Sequence, residues 1–152
     1  MDSASEEGAV ITSSVLDNLM KLNPNYRHII LMTLSKHDDS LMSKLFDVYQ
    51  IAADPDLKSD LMAAICETRS KKNLRKLLSY CKDETKIRTQ DRLMFFLRIL
   101  RNPKGKDLAL AWFYKNWDFL YKSEGDKSIA DYPRYIANIL NEKEDINQFI
   151  NF

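Results

Sequence analysis

The chain has 152 residues, 45% of them hydrophobic, with only 3 glycines and 4 prolines, which is the composition of a helical domain large enough to bury a core. Its 23 Lys and Arg balance 22 Asp and Glu, and a net charge of +1 argues against nucleic acid or an anionic membrane as the main partner, since both ask for a basic excess. No apolar run approaches the roughly 18 residues of a membrane-crossing helix, and residues 1–8 lack the basic and apolar regions of a signal peptide.

In chain order, residues 1–8 read as a flexible lead, and residues 9–152 as one helical domain. Leu16, Leu19, Met20 and Leu22 predict a first helix. Asn23-Pro24 caps a second, with proline at its first position and Tyr26, Ile29, Ile30 and Leu34 expected inward. Asp39 is expected to cap a third, whose stripe is Met42, Leu45, Phe46 and Tyr49. Asp54-Pro55 opens a fourth, with Leu57, Leu61, Ala64 and Ile65, and Ser70 a fifth, with Leu74, Leu77, Leu78 and Cys81. A sixth, opened by Thr89, is apolar almost all round from Leu93 to Leu100, so it must be covered on most sides. After a turn at Asn102-Pro103-Lys104-Gly105, a seventh runs from about Lys106 to Tyr121, with Gly125 as its breaker. An eighth carries Tyr132, Tyr135, Ile136, Ile139 and Leu140; Asn141 and Glu144 form a capping pair for a short last one. No segment alternates with period two for the length of a strand.

A shift of the chain by 32 positions lays Met42, Leu45, Phe46 and Tyr49 on Leu74, Leu77, Leu78 and Cys81, and Leu61, Met62, Ala64 and Ile65 on Leu93, Met94, Phe96 and Leu97. A helix pair that cannot bury its stripe alone does so by stacking on the next pair. The expectation is therefore an all-α fold, an α-solenoid of antiparallel helix pairs (HEAT/ARM-like) with about eight or nine helices.

Few side chains are arranged for chemistry. His28 and His37 are the only histidines, and Cys66 and Cys81 stand alone, whereas a zinc site draws on about four ligands with local spacing. Both cysteines fall on apolar helix positions, as buried and reduced thiols of a cytoplasmic protein would. No nucleophile elbow and no glycine-rich phosphate loop are present. The basic run from Arg69 to Lys76 is flanked by acids and reads as solvated surface. Tyr132, Arg134 and Tyr135 are the better candidates: an arginine held at a helix start between two phenols can take a peptide carboxylate, or the three can be ordinary side chains of a helix end. Arg27 with His28 is a lesser pairing of the same type.

The stretch Ile87-Arg88-Thr89-Gln90-Asp91-Arg92, then Asn102-Pro103-Lys104-Gly105-Lys106, then Trp112-Phe113-Tyr114-Lys115-Asn116-Trp117-Asp118 resembles the C-terminal helical domain of zinc aminopeptidases of the aminopeptidase N family. That domain carries an Arg-x-Gln-Asp helix start, an Asn-x-x-Gly turn and a Trp-x-x-x-x-Trp helix containing Asn-Trp. Gly125-Asp126-Lys127-Ser128 and Asp131-Tyr132-Pro133-Arg134-Tyr135 look like its bacterial cytoplasmic branch. The resemblance spans roughly Asn23 to Phe152. It marks Arg88, Gln90, Asp91, Asn102, Gly105, Trp112, Asn116 and Trp117 as motif positions, which read first as structural: Asp91 in a helix first turn, Arg88 pairing with it or with a neighbouring helix, the tryptophans in the core or between helices; the alternative is that part of the Arg88, Gln90 and Asp91 cluster faces the concave side of the solenoid.

The family's His-Glu-x-x-His zinc helix and Gly-x-Met-Glu-Asn loop are absent from this sequence. The resemblance therefore implies a chain without catalytic or metal residues of its own, with zinc expected in a separate catalytic domain. It implies a bowl that closes over that catalytic domain and limits which peptides enter, so the expected partners are the catalytic domain and peptide substrates. The alternative is an autonomous helical-repeat scaffold that binds another protein.

Overall fold

In the computed structural model, which describes residues 3–152 and the side chains of residues 12–125 and 128–152, every regular element is a helix. They are α1 (Ser3–Lys21), α2 (Pro24–His37), α3 (Leu41–Ile51), α4 (Pro55–Ile65), α5 (Lys71–Tyr80), α6 (Thr89–Arg101), α7 (Lys106–Lys115), α8 (Trp117–Ile129), α9 (Asp131–Ile139) and α10 (Lys143–Ile150). The all-α class holds. Among the described residues the helices number ten rather than eight or nine, because the expected single helix from Lys106 to Tyr121 is broken at Asn116, which takes φ −113° and ψ 17°. The first helix also starts earlier than expected, at Ser3.

The chain divides into two compact units, one ending at Asn73 and the other spanning Leu74–Phe152. In the first, α2 and α3 pack on α4, and α1 on α3. The expected stripes of α3 and α4 form its core: Met42, Phe46 and Tyr49 meet Leu57, Leu61, Ala64 and Ile65, all buried. Two helix starts follow their sequence signals. Asn23 Oδ1 accepts from Asn25 N at 3.0 Å and Asp54 Oδ1 from Leu57 N at 2.7 Å, each ahead of a proline, which has no N–H in need of an acceptor.

The third start does not. Ser40 precedes α3, and Asp39 turns its carboxylate to the head of α5, accepting from Thr68 Oγ1 at 2.6 Å, Arg69 N at 2.8 Å and Ser70 N at 3.1 Å. The Thr68 bond is the first reason that Asp39 stays ionised below the usual carboxylate range; the two backbone donors add to it.

The second helix is turned over relative to its expected face. Arg27, Leu31 and Ser35 are buried, whereas Tyr26, Ile29, Ile30 and Leu34 stand exposed, Tyr26 at 64% and Ile29 at 60%. The cause is a partner far away in sequence. Asp60 of α4 accepts from Arg27 Nε at 2.8 Å, and the guanidinium, only 3% exposed, fixes which side of α2 faces inward.

In the second unit α6 lies against α7 and α9, and α8 against α9. Phe95, Phe96, Leu97, Ile99 and Leu100 of α6 are all buried, so this helix is covered on most sides as its sequence requires. Arg88, not Thr89, precedes it, and Thr89 Oγ1 donates instead to Glu84 Oε1 at 2.9 Å. Gly105 closes the turn between α6 and α7 because nothing larger fits: a Cβ there would stand 2.3 Å from the Ile99 carbonyl oxygen. Gly125, at φ 73° and ψ 164°, kinks α8 in a conformation that favours glycine. Glu142, not Asn141, precedes α10 and makes no side-chain cap.

Candidate functional site

α9 begins with the Asp131 to Tyr135 segment, and its helical turn sends the three candidate side chains to different places. Tyr132 is fully buried, its ring 5.4 Å from Phe96 and stacked at 6.2 Å on Phe113. Burial raises its phenol pKa far above the ordinary range, and the neighbouring Glu124 charge raises it further. The hydroxyl makes no hydrogen bond of good geometry even with that carboxylate nearby. Arg134 and Tyr135 are at the surface. Arg134 Nη2 donates to Asp131 Oδ1 at 2.7 Å, and its guanidinium lies 5.0 Å over the Tyr135 ring. Of the three, the cation and one phenol stand together at the surface, the cation paired with Asp131; the Tyr132 phenol lies beneath the helix.

The motif positions from Arg88 to Trp117 resolve into helix starts and inter-helix packing. Arg88 Nε and Nη2 donate to Asp91 Oδ2 at 3.1 and 3.0 Å, both on the α6 first turn, while Gln90 faces solvent. Asn102 Oδ1 accepts from Lys104 N at 2.8 Å and holds the turn before Gly105. Trp112 lies 5.9 Å from Phe96, and Trp117 meets Phe113 edge-on at 5.4 Å. Asn116, at the α7–α8 break, donates from Nδ2 to the Trp112 carbonyl at 2.7 Å and accepts from Lys82 Nζ at 2.9 Å.

Arg92 is the position that motif reasoning passed over. It is fully buried, with Nε donating to the Cys81 carbonyl at 2.6 Å and Nη1 to Ser123 Oγ at 2.8 Å and Glu124 Oε1 at 2.5 Å. Its guanidinium also faces the Phe119 ring at 5.0 Å. The signal was available: Arg92 sits three and four residues before Phe95 and Phe96, on the apolar face of α6, where a charge requires a buried partner. Cys81 beside it is fully buried, and burial pushes its thiol up to about 12 despite the nearby Arg92 charge. Cys66 is also a buried free thiol.

His28 Nδ1 lies 3.2 Å from Asp60 Oδ1, so Arg27 and His28 share that carboxylate. Among the described residues no three His, Cys, Asp or Glu side chains converge as a metal site. No described helix is long and apolar enough to cross a membrane.

Comparison with known proteins places the chain in a family. The family model described as "ERAP1-like C-terminal domain" matches residues 9–152. Aminopeptidase N of Lactobacillus delbrueckii subsp. lactis is 31% identical over 139 residues, covering 90% of this chain and 16% of that enzyme. Aminopeptidase N of Lactobacillus helveticus is 28% identical over 139 residues, with the same shares. Endoplasmic reticulum aminopeptidase 1 of Homo sapiens is 35% identical over 88 residues, 57% of this chain and 9% of that enzyme. The chain thus spans only 16% of the length of these two Lactobacillus enzymes.

Proposed function

This chain belongs to the family of ERAP1-like C-terminal domains, and from that premise we propose that it is a non-catalytic part of a zinc aminopeptidase, a section of the helical wall that closes the active-site chamber and restricts peptide access. In this reading the ten helices continue a HEAT/ARM-like series of helix pairs contributed by the parent protein. Zinc and the groups that act on the substrate amine belong to the catalytic domain, the chain's main partner. Closing such a chamber excludes bulk water and folded protein from the metal.

The observation that carries the reading is the apolar stripe Tyr26, Ile29, Ile30 and Leu34 along one side of α2, from 41% to 64% exposed. A contiguous apolar face of this type marks an interaction surface rather than a solvated one. In this reading the covering element is the rest of the parent enzyme, since the matched segment is only 16% of the aminopeptidase N of Lactobacillus delbrueckii subsp. lactis. Arg134 and Tyr135 are the groups proposed to meet a peptide carboxylate in the assembled enzyme. The two buried free cysteines support a reducing compartment, the cytoplasm.

The test is reconstitution. The 152-residue chain is mixed with the parent aminopeptidase from which the matching segment has been removed, and association is followed by analytical ultracentrifugation. A stable complex is expected for the native chain, and its loss for Ile29→Asp with Leu34→Asp, two exposed positions where a polar side chain is expected to leave the fold intact. Association that is insensitive to both substitutions would remove α2 as the covered face.

A further inference from the structure

The faces of two helices in the second unit border a groove of about 480 Å³. Arg75 and Leu78 of α5, with Lys82 just past its end, form one wall; Leu108, Trp112 and Lys115 of α7 form the other. The spacings, three and four residues apart, put each trio on one helical face. Leu78 and Trp112 supply an apolar floor, and the three cations stand around it; no acidic residue lines the groove.

Among the described residues no carboxylate pairs with Arg75, Lys82 or Lys115. Lys82 is nevertheless held in place. Its ammonium donates to Asn116 Oδ1 at 2.9 Å and lies 5.2 Å over the Phe119 ring, two neutral partners that orient the cation without cancelling it. Asn116 is only 9% exposed and is itself fixed by its bond to the Trp112 carbonyl. A cation ordered in advance loses little entropy on meeting a carboxylate. The chain's net charge of +1 gives no long-range field for an extended polyanion, so the groove's selectivity is local.

We propose that this groove docks a short acidic segment of a partner polypeptide, with carboxylate side chains on Arg75, Lys82 and Lys115 and an apolar residue between them on Leu78 and Trp112. The inference does not depend on the chamber reading: it concerns a different surface, and its test uses the isolated chain.

The probe is a synthetic peptide, Glu-Glu-Leu-Phe-Glu-Glu, acetylated and amidated so that only side-chain carboxylates are present. Its twin carries Gln for every Glu. The isotopically labelled chain is titrated with each while the Trp112 indole and Asn116 side-chain amide resonances are followed. The acidic peptide is expected to shift both signals saturably, less strongly as salt is raised, and the Gln twin to leave them in place. Lys82→Gln with Lys115→Gln is expected to weaken binding by roughly tenfold or more. Lys115→Gln alone, at an exposed site, gives a smaller loss in the same direction and guards against a folding effect of the Lys82 change. Equal binding of the two peptides, shifts confined to other resonances, no saturable binding, or tighter capture of a single-stranded oligonucleotide would each overturn the proposal.

Discussion

Arg92 and Glu124 form an ion pair inside the second unit, Nη1 to Oε1 at 2.5 Å, with the two side chains 0% and 6% exposed. The pair ties α6 to α8, and through the Cys81 carbonyl it also holds the turn after α5. Removing one member leaves the other charge buried without its partner. Arg92→Met is expected to lower stability by about 3–5 kcal/mol. Arg92→Met with Glu124→Gln should cost less than the sum of the single changes, because the stranded charge is gone. Urea unfolding of the four proteins measures the coupling, and additive losses would deny it.

Two glycines separate crowding from backbone strain. Gly105→Ala drives a Cβ against the Ile99 carbonyl, a backbone group that cannot step aside, and should cost about 1–3 kcal/mol. Gly125→Ala meets nothing within 4 Å but must hold φ +73°, at a cost of about 1–3 kcal/mol as well. The two differ in remedy. Ile99→Val should leave Gly105→Ala unrelieved, since the clash is with the carbonyl. Asn in place of Gly125 should be tolerated better than Ala. Thermal melts of the four variants decide both points.

The α3, α4 and α5 stripes were legible from spacing alone, because each has one apolar face and its neighbours bury that face. α2 was not. Its period correctly marks Tyr26, Ile29, Ile30 and Leu34 as one face, but period does not say what covers a face. Arg27 and Asp60 decide the orientation from 33 positions apart. Asp39 misled for the same reason, since its acceptors' donors lie near Thr68 and not in the helix that follows it. At the candidate site, the helix start at Asp131 was legible. The separation of Tyr132 from Arg134 was not, because it follows from the buried rings Phe96 and Phe113 that Tyr132 joins.

Alkaline pH should loosen the second unit. The Cys81 thiol is raised from 9.0 to about 12 in the folded chain, and the Tyr132 phenol is raised as well. Between those limits the unfolded chain gives up protons that the folded chain keeps, so the folded form binds more protons and stability falls with rising pH. The contribution is intact below pH 9 and is lost progressively toward pH 12. Cys81→Ala should flatten the first part of that fall, as read from urea midpoints across the range. In the folded chain near neutral pH, neither Cys66 nor Cys81 should react with iodoacetamide, being buried, and both should react once the chain unfolds.

Arg134→Ala should barely move the melting temperature. Its ion pair with Asp131 is exposed, 63% and 40%, and within one helix turn, the type of pair worth about 0–1 kcal/mol. In the full-length parent the same change is expected to raise KM for free peptides while sparing aminoacyl-anilides, which carry no distant carboxylate. An equal effect on both substrates, or a marked loss of stability, would make Arg134 a structural residue.

The most direct measurement on the central claim is substrate-size discrimination by the full-length aminopeptidase: the ratio of kcat/KM for a long peptide to that for an aminoacyl-anilide, in the native enzyme and in the variant with Ile29→Asp and Leu34→Asp. If this chain is a wall of the chamber held through α2, loosening it should raise the ratio severalfold while anilide turnover continues, and the isolated chain should show no turnover with or without zinc. An unchanged ratio in a variant whose α2 is demonstrably detached would contradict the claim.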